Sequence, residues 1–447
     1  MLKRIKNAYI NIKNACEKSL LQKYPAGVPQ FIQDRYNEEL EFLDHSQSVD
    51  NFEIARRLCD EAHKSMQLIQ PKGLLSGSLI YYLISNSKVN PLPQHYYCPK
   101  CGYYEQTDIN LFGIDLPSKE CPNCSEPIVA DGINIPIPFV WKNDNKVPIS
   151  FDFNISSGFF PFAKRVLERI YPNNNIVEYG ISKLHDNDIR NIEQGGYAIL
   201  PEGNTIDDYP DLISYLDDGT RCISGSLIDF QNYFIKKIPL FSSKALDCAV
   251  FMQGKTGVYF DEISSADIKN TTYRDILNTG MASEEFRFLD ADLNGAFDIP
   301  KSFTKMNHYL LAYHNSYDID KENSQNALVY FLNTDDFLKY PIYSREDVYD
   351  HLVSLGFEEP LAFEYAEATR KGLFHSYTTQ HSEYAKKRID NLLQLPIPSD
   401  LYKNVIKCKY LFPRSHSATF LFTYAILAYY MKMNSKVYSH YIKTYKS

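Results

Sequence analysis

The sequence predicts an α+β protein in which a small metal-bound ribbon interrupts a β-sheet region and a helical region follows. Three observations predict this. Two C-x2-C pairs, Cys98–Cys101 and Cys121–Cys124, stand nineteen residues apart. Helical periodicity marks the N-terminal stretch and most of the chain beyond about 250. Short apolar or β-branched runs bounded by Gly, Pro and Asn fill 131–158 and 195–241, as strands would.

Residues 1 to about 25 read as a basic helix and Val28 to Leu43 as a second. Asn51 to Met66 reads as a third, with Phe52, Ala55, Leu58, Cys59 and Ala62 on one face. Pro71 to Ser78 then forms a turn ahead of a short helix, Leu79–Ile84. Residues 96–130 hold the four cysteines, two pairs whose spacing suits one tetrahedral ion, expected to be a structural Zn²⁺ closed by four thiolates. Pro161 to Tyr171 is the one good helix between Gly158 and Gly195. Further on, a helix-turn-helix is expected near Asp347–Arg370 and a helical pair at the end. The longest apolar run, Phe420 to Met431, is broken by Thr423 and falls short of the ~20 residues a bilayer needs, so it reads as a buried helix.

At 447 residues, 44% hydrophobic and 23% charged, the chain has room for two or three cores of an ordinary globular protein. Cys16, Cys59, Cys222, Cys248 and Cys408 have no metal spacing, and the start MLKRIKN carries no export segment. They are expected to be thiols in a reducing cytoplasm, with no membrane partner. Charge is unevenly placed. From Leu401 to Ser447 there are eight Lys or Arg and no Asp or Glu, against a net −8 for the chain. Such a segment suits a phosphate backbone, and equally suits a solvated helix whose lysines face water.

Motifs on either side of the cysteines carry a resemblance. Val89-Asn90-Pro91-Leu92-Pro93-Gln94-His95-Tyr96-Tyr97 precedes them, and Asp131-Gly132-Ile133-Asn134-Ile135-Pro136, Lys146-Val147-Pro148 and Asp152-Phe153-Asn154-Ile155-Ser156-Ser157-Gly158 follow. Tyr410-Leu411-Phe412-Pro413-Arg414-Ser415-His416-Ser417-Ala418 and Arg370-Lys371-Gly372 form a second block. Together, and in order, these resemble the palm and fingers of PolC-type DNA polymerase III alpha subunits. The resemblance implies a polymerase-β-like (nucleotidyltransferase) palm with an inserted zinc ribbon, a reduced thumb and helical fingers. It divides the chain into an N-terminal palm segment (1–95), the ribbon (96–130), the palm with a shortened thumb insertion at 159–194 (131–249), and the fingers (250–447). It also implies a start where the family's palm opens, without the PHP or proofreading domains.

The family's chemistry uses a D-x-D pair on one strand and a third Asp on a neighbour to hold two Mg²⁺. Residues i and i+2 share a strand face, which explains the spacing. Here the tripeptide is Ser150-Phe151-Asp152, which keeps only the second acid, and Phe241 stands where the third is expected. Asp229 and Asp247 are near in sequence but at other positions. The triphosphate loop corresponds to Pro71–Ser78, with Lys72 and Gly73 retained, or is an ordinary turn. Lys371 and Arg370, and Lys409, Arg414 and His416, stand where the family contacts nucleotide or DNA; His416 equally suits a helix start satisfied by backbone. These losses point to a catalytically inactive, DNA-binding pseudo-polymerase of DNA replication. A scaffold or decoy acting on replication proteins is the alternative, and an active DNA-directed polymerase with altered ligands the third. Mg²⁺ is expected only if that activity exists.

Overall fold

The computed structural model describes residues 2–85, 87–141, 151–184, 190–281, 302–317 and 339–445. Ser150 and the Lys146-Val147-Pro148 motif lie outside them.

Three helices open the chain: α1 (Leu2–Lys23), α2 (Gln30–Asp44) and α3 (Val49–Lys64). On α1 the buried residues Ala8, Ile12, Cys16 and Leu20 recur every four positions, the seam of an amphipathic helix. On α3 the buried face contains Phe52, Ala55, Leu58, Cys59 and Ala62, as the periodicity predicts. Strand β1 (Ile69–Lys72) leads through a 3-10 turn to α4 (Leu79–Ile84), all six of whose residues are buried.

The cysteine region is a small antiparallel sheet of β2 (His95–Tyr97), β3 (Tyr104–Gln106) and β4 (Val129–Asp131), ordered β3-β2-β4. The chain then builds a seven-stranded mixed sheet. Its later strands are β5 (Asp152–Ile155), β6 (Ile176–Leu184), β7 (Arg190–Ile199), β8 (Ile213–Tyr215), β9 (Arg221–Ile223) and β10 (Lys236–Ser242), and the order is β1-β5-β10-β7-β6-β9-β8. Helix α5 (Phe160–Ile170) lies between β5 and β6, so the short interval after Gly158 returns directly to the sheet. Helix α6 (Leu227–Asn232) precedes β10 and α7 (Lys244–Thr256) follows it. Beyond α7 the described residues are mostly helical. The exception is a two-stranded ribbon of β11 (Ser316–Tyr317) and β12 (Cys408–Tyr410).

The long helix Arg414–Met433 is buried along most of its length, including Leu421, Phe422, Ala425, Ile426 and Tyr430. No described helix is long and apolar enough to cross a membrane. One large apolar core runs from Ala8 on α1 to Tyr441 near the C-terminus, so the first and last helices share it. A second, small core (Tyr179, Leu200, Leu212, Ile223, Phe230) sits under the far end of the main sheet.

Candidate functional site

Strand register assembles one candidate site on the main sheet. Lys72 on β1 pairs with Asp152 on β5 in the antiparallel sense, and Phe241 on β10 pairs with Asn154 on β5 in the parallel sense. Directly paired residues share a face, as do residues two apart on a strand. Lys72, Asp152, Asn154 and Phe241 therefore share one face, while Phe153 and Ile155 point into the core at 0% exposure. The Lys72 ammonium reaches across β5 and sits 3.8 Å from the centre of the Phe241 ring. A cation over an aromatic face is attracted by the ring quadrupole and keeps its full charge.

The two nearby acids are used elsewhere. Asp229 closes a capping box on α6, its carboxylate accepting from the Ser226 N–H at 2.7 Å. Asp247, in the first turn of α7, accepts from the Ser157 N–H (2.6 Å) and hydroxyl (2.8 Å). Gly73 follows Lys72 and opens the turn to α4, but the first amides of α4 are already engaged. The buried Glu39 of α2 accepts from the N–H groups of Leu79 (3.0 Å) and Ile80 (3.3 Å) and from the Ser78 hydroxyl (2.9 Å). A negative group at a helix N-terminus is favoured by the peptide dipoles, so Glu39 fills with a carboxylate the place an anion would take. Glu39 and Asn154 escaped the sequence reading. Asn154 was findable from the i+2 rule, whereas Glu39 looks like any polar residue in mid-helix.

The second block divides. Lys409 is exposed on β12, and Lys371 is about half exposed with Glu367 3.6 Å away. They are brought together by Gly372, which has φ +65° and whose added Cβ would lie 2.4 Å from the Lys409 carbonyl oxygen. Only glycine permits that approach. Arg370 is held by Glu367 at 3.0 and 3.1 Å. Arg414 is buried, donating to Asp347 (2.8 Å), Asp350 (3.0 Å) and the Asn134 carbonyl (2.7 Å). The phosphate-contact reading of Arg414 does not carry over to this arrangement, because the buried guanidinium donates to two carboxylates and a backbone carbonyl inside the protein.

His416 is stacked between Phe412 (4.7 Å) and Phe420 (5.1 Å), and its Nε2 is buried without a hydrogen-bond partner among the described residues. Burial first, then the charges of Lys72 and His314, push the imidazole down to about 3. A histidine kept neutral in the fold takes up its proton only on unfolding. Below its unfolded value near 6.5 the unfolded chain binds more protons, so stability falls as pH falls from about 6.5 towards 3. Between pH 7 and pH 5 this one residue is expected to cost about 2 kcal/mol. Denaturant melts of the parent and His416→Phe should show that drop shrinking in the variant. Equal pH dependence in both would remove His416 as its source.

The four cysteines form the second site. Their sulfurs all lie within 4.8 Å of one another, with Cys98–Cys124 at 3.5 Å and Cys101–Cys121 at 3.4 Å. Two matching knuckles create it. The Gly102 N–H donates to the Cys98 carbonyl and the Ser125 N–H to the Cys121 carbonyl, each at 2.9 Å, with φ of +75° and +59° at the turning residues. Burial works to raise the Cys98 thiol, but hydrogen bonds from the backbone N–H groups of Cys101 and Lys100 and from the Cys124 and Cys101 thiols together bring it down to about 7. Four thiols converging at these distances fit a tetrahedral metal ion. The ribbon is fastened to the helices by the Tyr97 hydroxyl, which accepts from the Ala26 N–H at 2.9 Å, and by Tyr24 packed edge-on to Tyr97.

Comparison with known proteins gives a consistent result. Residues 10–133 match the family described as the bacterial DNA polymerase III alpha NTPase domain. Proteins described as DNA polymerase III PolC-type align along nearly the full chain. That of Caldanaerobacter subterraneus subsp. tengcongensis is 24% identical over 91% of this chain and 32% of its own length. Those of Thermotoga maritima (23%, 95% of this chain, 34% of its own) and Lactococcus lactis subsp. lactis (24%, 91% and 28%) are similar. The chain thus spans about a third of the length of the curated relatives it matches.

Proposed function

We propose that this chain, which is homologous to PolC-type DNA polymerase III over nearly its whole length, is a DNA-binding replication protein that keeps the polymerase scaffold without its two-metal chemistry. In this reading the main sheet is a polymerase-β-like palm, residues 96–130 a zinc ribbon, 159–194 a reduced thumb insertion and 250–447 the fingers, all in the cytoplasm. Zn²⁺ is the ion that four thiolates suit best, and it would be held by Cys98, Cys101, Cys121 and Cys124.

One observation carries the loss of catalysis. Two Mg²⁺ ions need several carboxylate oxygens converging on one face. The face here presents Asp152 beside an aromatic ring and an ammonium, with Phe241 and Lys72 3.8 Å apart. A divalent cation in that place would be repelled by Lys72 and would find one acid where the family uses three, Ser150 standing for the first. The residues do not fit the metal pair, and no chemical step is assigned to them.

DNA contact is proposed for the exposed pair Lys371 and Lys409, with Lys72 and Gly73 at the sheet edge. A labelled primer–template titrated across a salt series, with dNTPs and Mg²⁺ or Mn²⁺ present, reads binding and extension together. Salt-sensitive binding with no extension is expected. Primer extension that disappears in Asp152→Ala would sink the inactive reading.

A second reading, a scaffold for replication proteins, is favoured by a different surface. Leu227, Ile228 and Phe234 are 59%, 66% and 86% exposed, and Phe234 sits in left-handed backbone at φ +56°. A non-glycine residue costs on the order of 1 kcal/mol or more there, and this one presents an aromatic ring to water. If this reading governs, the parent sediments as a complex with a purified replication protein and Ile228→Ser/Phe234→Ser does not.

A further inference from the structure

The C-terminal helix Ser435–Tyr445 has two unlike faces. Tyr438 and Tyr441 are buried, and Tyr441 packs against Phe251 of α7 with ring centroids 4.9 Å apart. The opposite face is polar and basic. Ser435, Lys436, Ser439, His440 and Lys443 line a shallow open groove of about 390 Å³. The helix has no acidic residue, in keeping with the wholly basic charge of residues 401–447. Lys255 of α7 lies 5.6 Å over Phe251, the ring that packs on Tyr441, and adds a cation at the same junction. Asp275, an acid near this end, is held by Lys432 at 2.7 Å.

Helical geometry makes these residues a stripe. Positions 436, 440 and 443 follow the i, i+4, i+7 rule, so their side chains share a face. At 1.5 Å rise per residue, Lys436 and Lys443 are separated by about 10 Å along the axis, far enough for the two ammonium groups to reach different phosphates. The two serine hydroxyls between and beside them are donors of the kind that position phosphates. An acidic protein would also answer the charge. The mixture of ammonium and hydroxyl donors, with no apolar anchor among the lining residues, suits a phosphate backbone better.

We propose that this stripe is a phosphate-backbone contact for DNA, separate from the main-sheet face and from Lys371 and Lys409. It rests on the DNA-binding reading above. The test is the salt dependence of duplex binding by the full chain and by Lys436→Gln/Lys443→Gln. Both lysines are exposed, so the unfolding midpoint of the variant should equal the parent's. Removal of two phosphate contacts should make the slope of log K against log salt shallower by about 2, with weaker binding at every salt concentration. A parent that binds and a variant with the same slope would overturn this contact and leave the DNA-binding reading intact. A parent that does not bind would overturn both. Competition by poly-glutamate as strong as by an oligonucleotide of equal charge would assign the stripe to acidic proteins and overturn it too.

Discussion

Cys121→Ser is expected to unfold the ribbon and to lower the stability of the whole chain. A structural four-thiolate zinc site is worth on the order of 10 kcal/mol in apparent binding energy, which becomes folding energy where no preformed site survives unfolding. A loss of that size is comparable to a whole net stability of about 5–15 kcal/mol. The ribbon is not an appendage that can melt alone. Added bulk at Gly102 would meet the Ala26 carbonyl at 2.7 Å, and Tyr97 bonds the same loop between α1 and α2. The variant should carry less than one zinc per chain by elemental analysis and should be cleaved by protease within 96–130, where the parent resists. A metal-free variant that melts with the parent would show that the cysteines hold no stabilising ion.

Arg414→Met is expected to cost about 3–5 kcal/mol, the range for removing one partner of a buried ion pair. The arginine is 5% exposed and its NH2 is shared between Asp347 and Asp350. Burial raises Asp350, and the charge and hydrogen bond of Arg414 oppose it, so without the arginine this carboxyl is pushed further towards its protonated form. The same side chain ties the helix Arg345–Ser354 to the Asn134 carbonyl just beyond β4, at 2.7 Å. Adding Asp347→Asn and Asp350→Asn should restore part of the loss by removing the stranded charges. A melt of Arg414→Met within about 1 kcal/mol of the parent would contradict the arrangement.

Local signals were the legible ones. Leu79–Ile84 is found with its sequence-predicted bounds because Ser78 caps it and a continuous apolar run fills it. The C-x2-C pairs were readable because each knuckle is made by five consecutive residues, Cys98–Gly102 and Cys121–Ser125. The sequence could place Phe241 at an acid position by resemblance, but not Lys72 above it, since that requires the order β1-β5-β10. Arg414 reads as a phosphate contact in sequence because its carboxylate partners lie 64 and 67 residues away. Pairing at that range leaves no periodic trace. The two or three cores expected from length became one large core and a small one, because the first and last helices close on each other.

The loop between the two cysteine pairs also fastens together parts of the chain that are far apart in sequence. Asp115 in that loop accepts from the N–H groups of Phe303 (2.8 Å) and Thr304 (2.6 Å), capping the helix Phe303–His314 from 188 and 189 residues away. Lys269 is tied to the Leu116 carbonyl and the Ser118 hydroxyl at 3.0 Å each. Closing loops of that length costs chain entropy, which the packed native contacts must offset. The ribbon and these distant helices thus brace one another. Whatever loosens the ribbon would therefore also uncap the helix Phe303–His314 and release Lys269, carrying a local change at the cysteines into the C-terminal half.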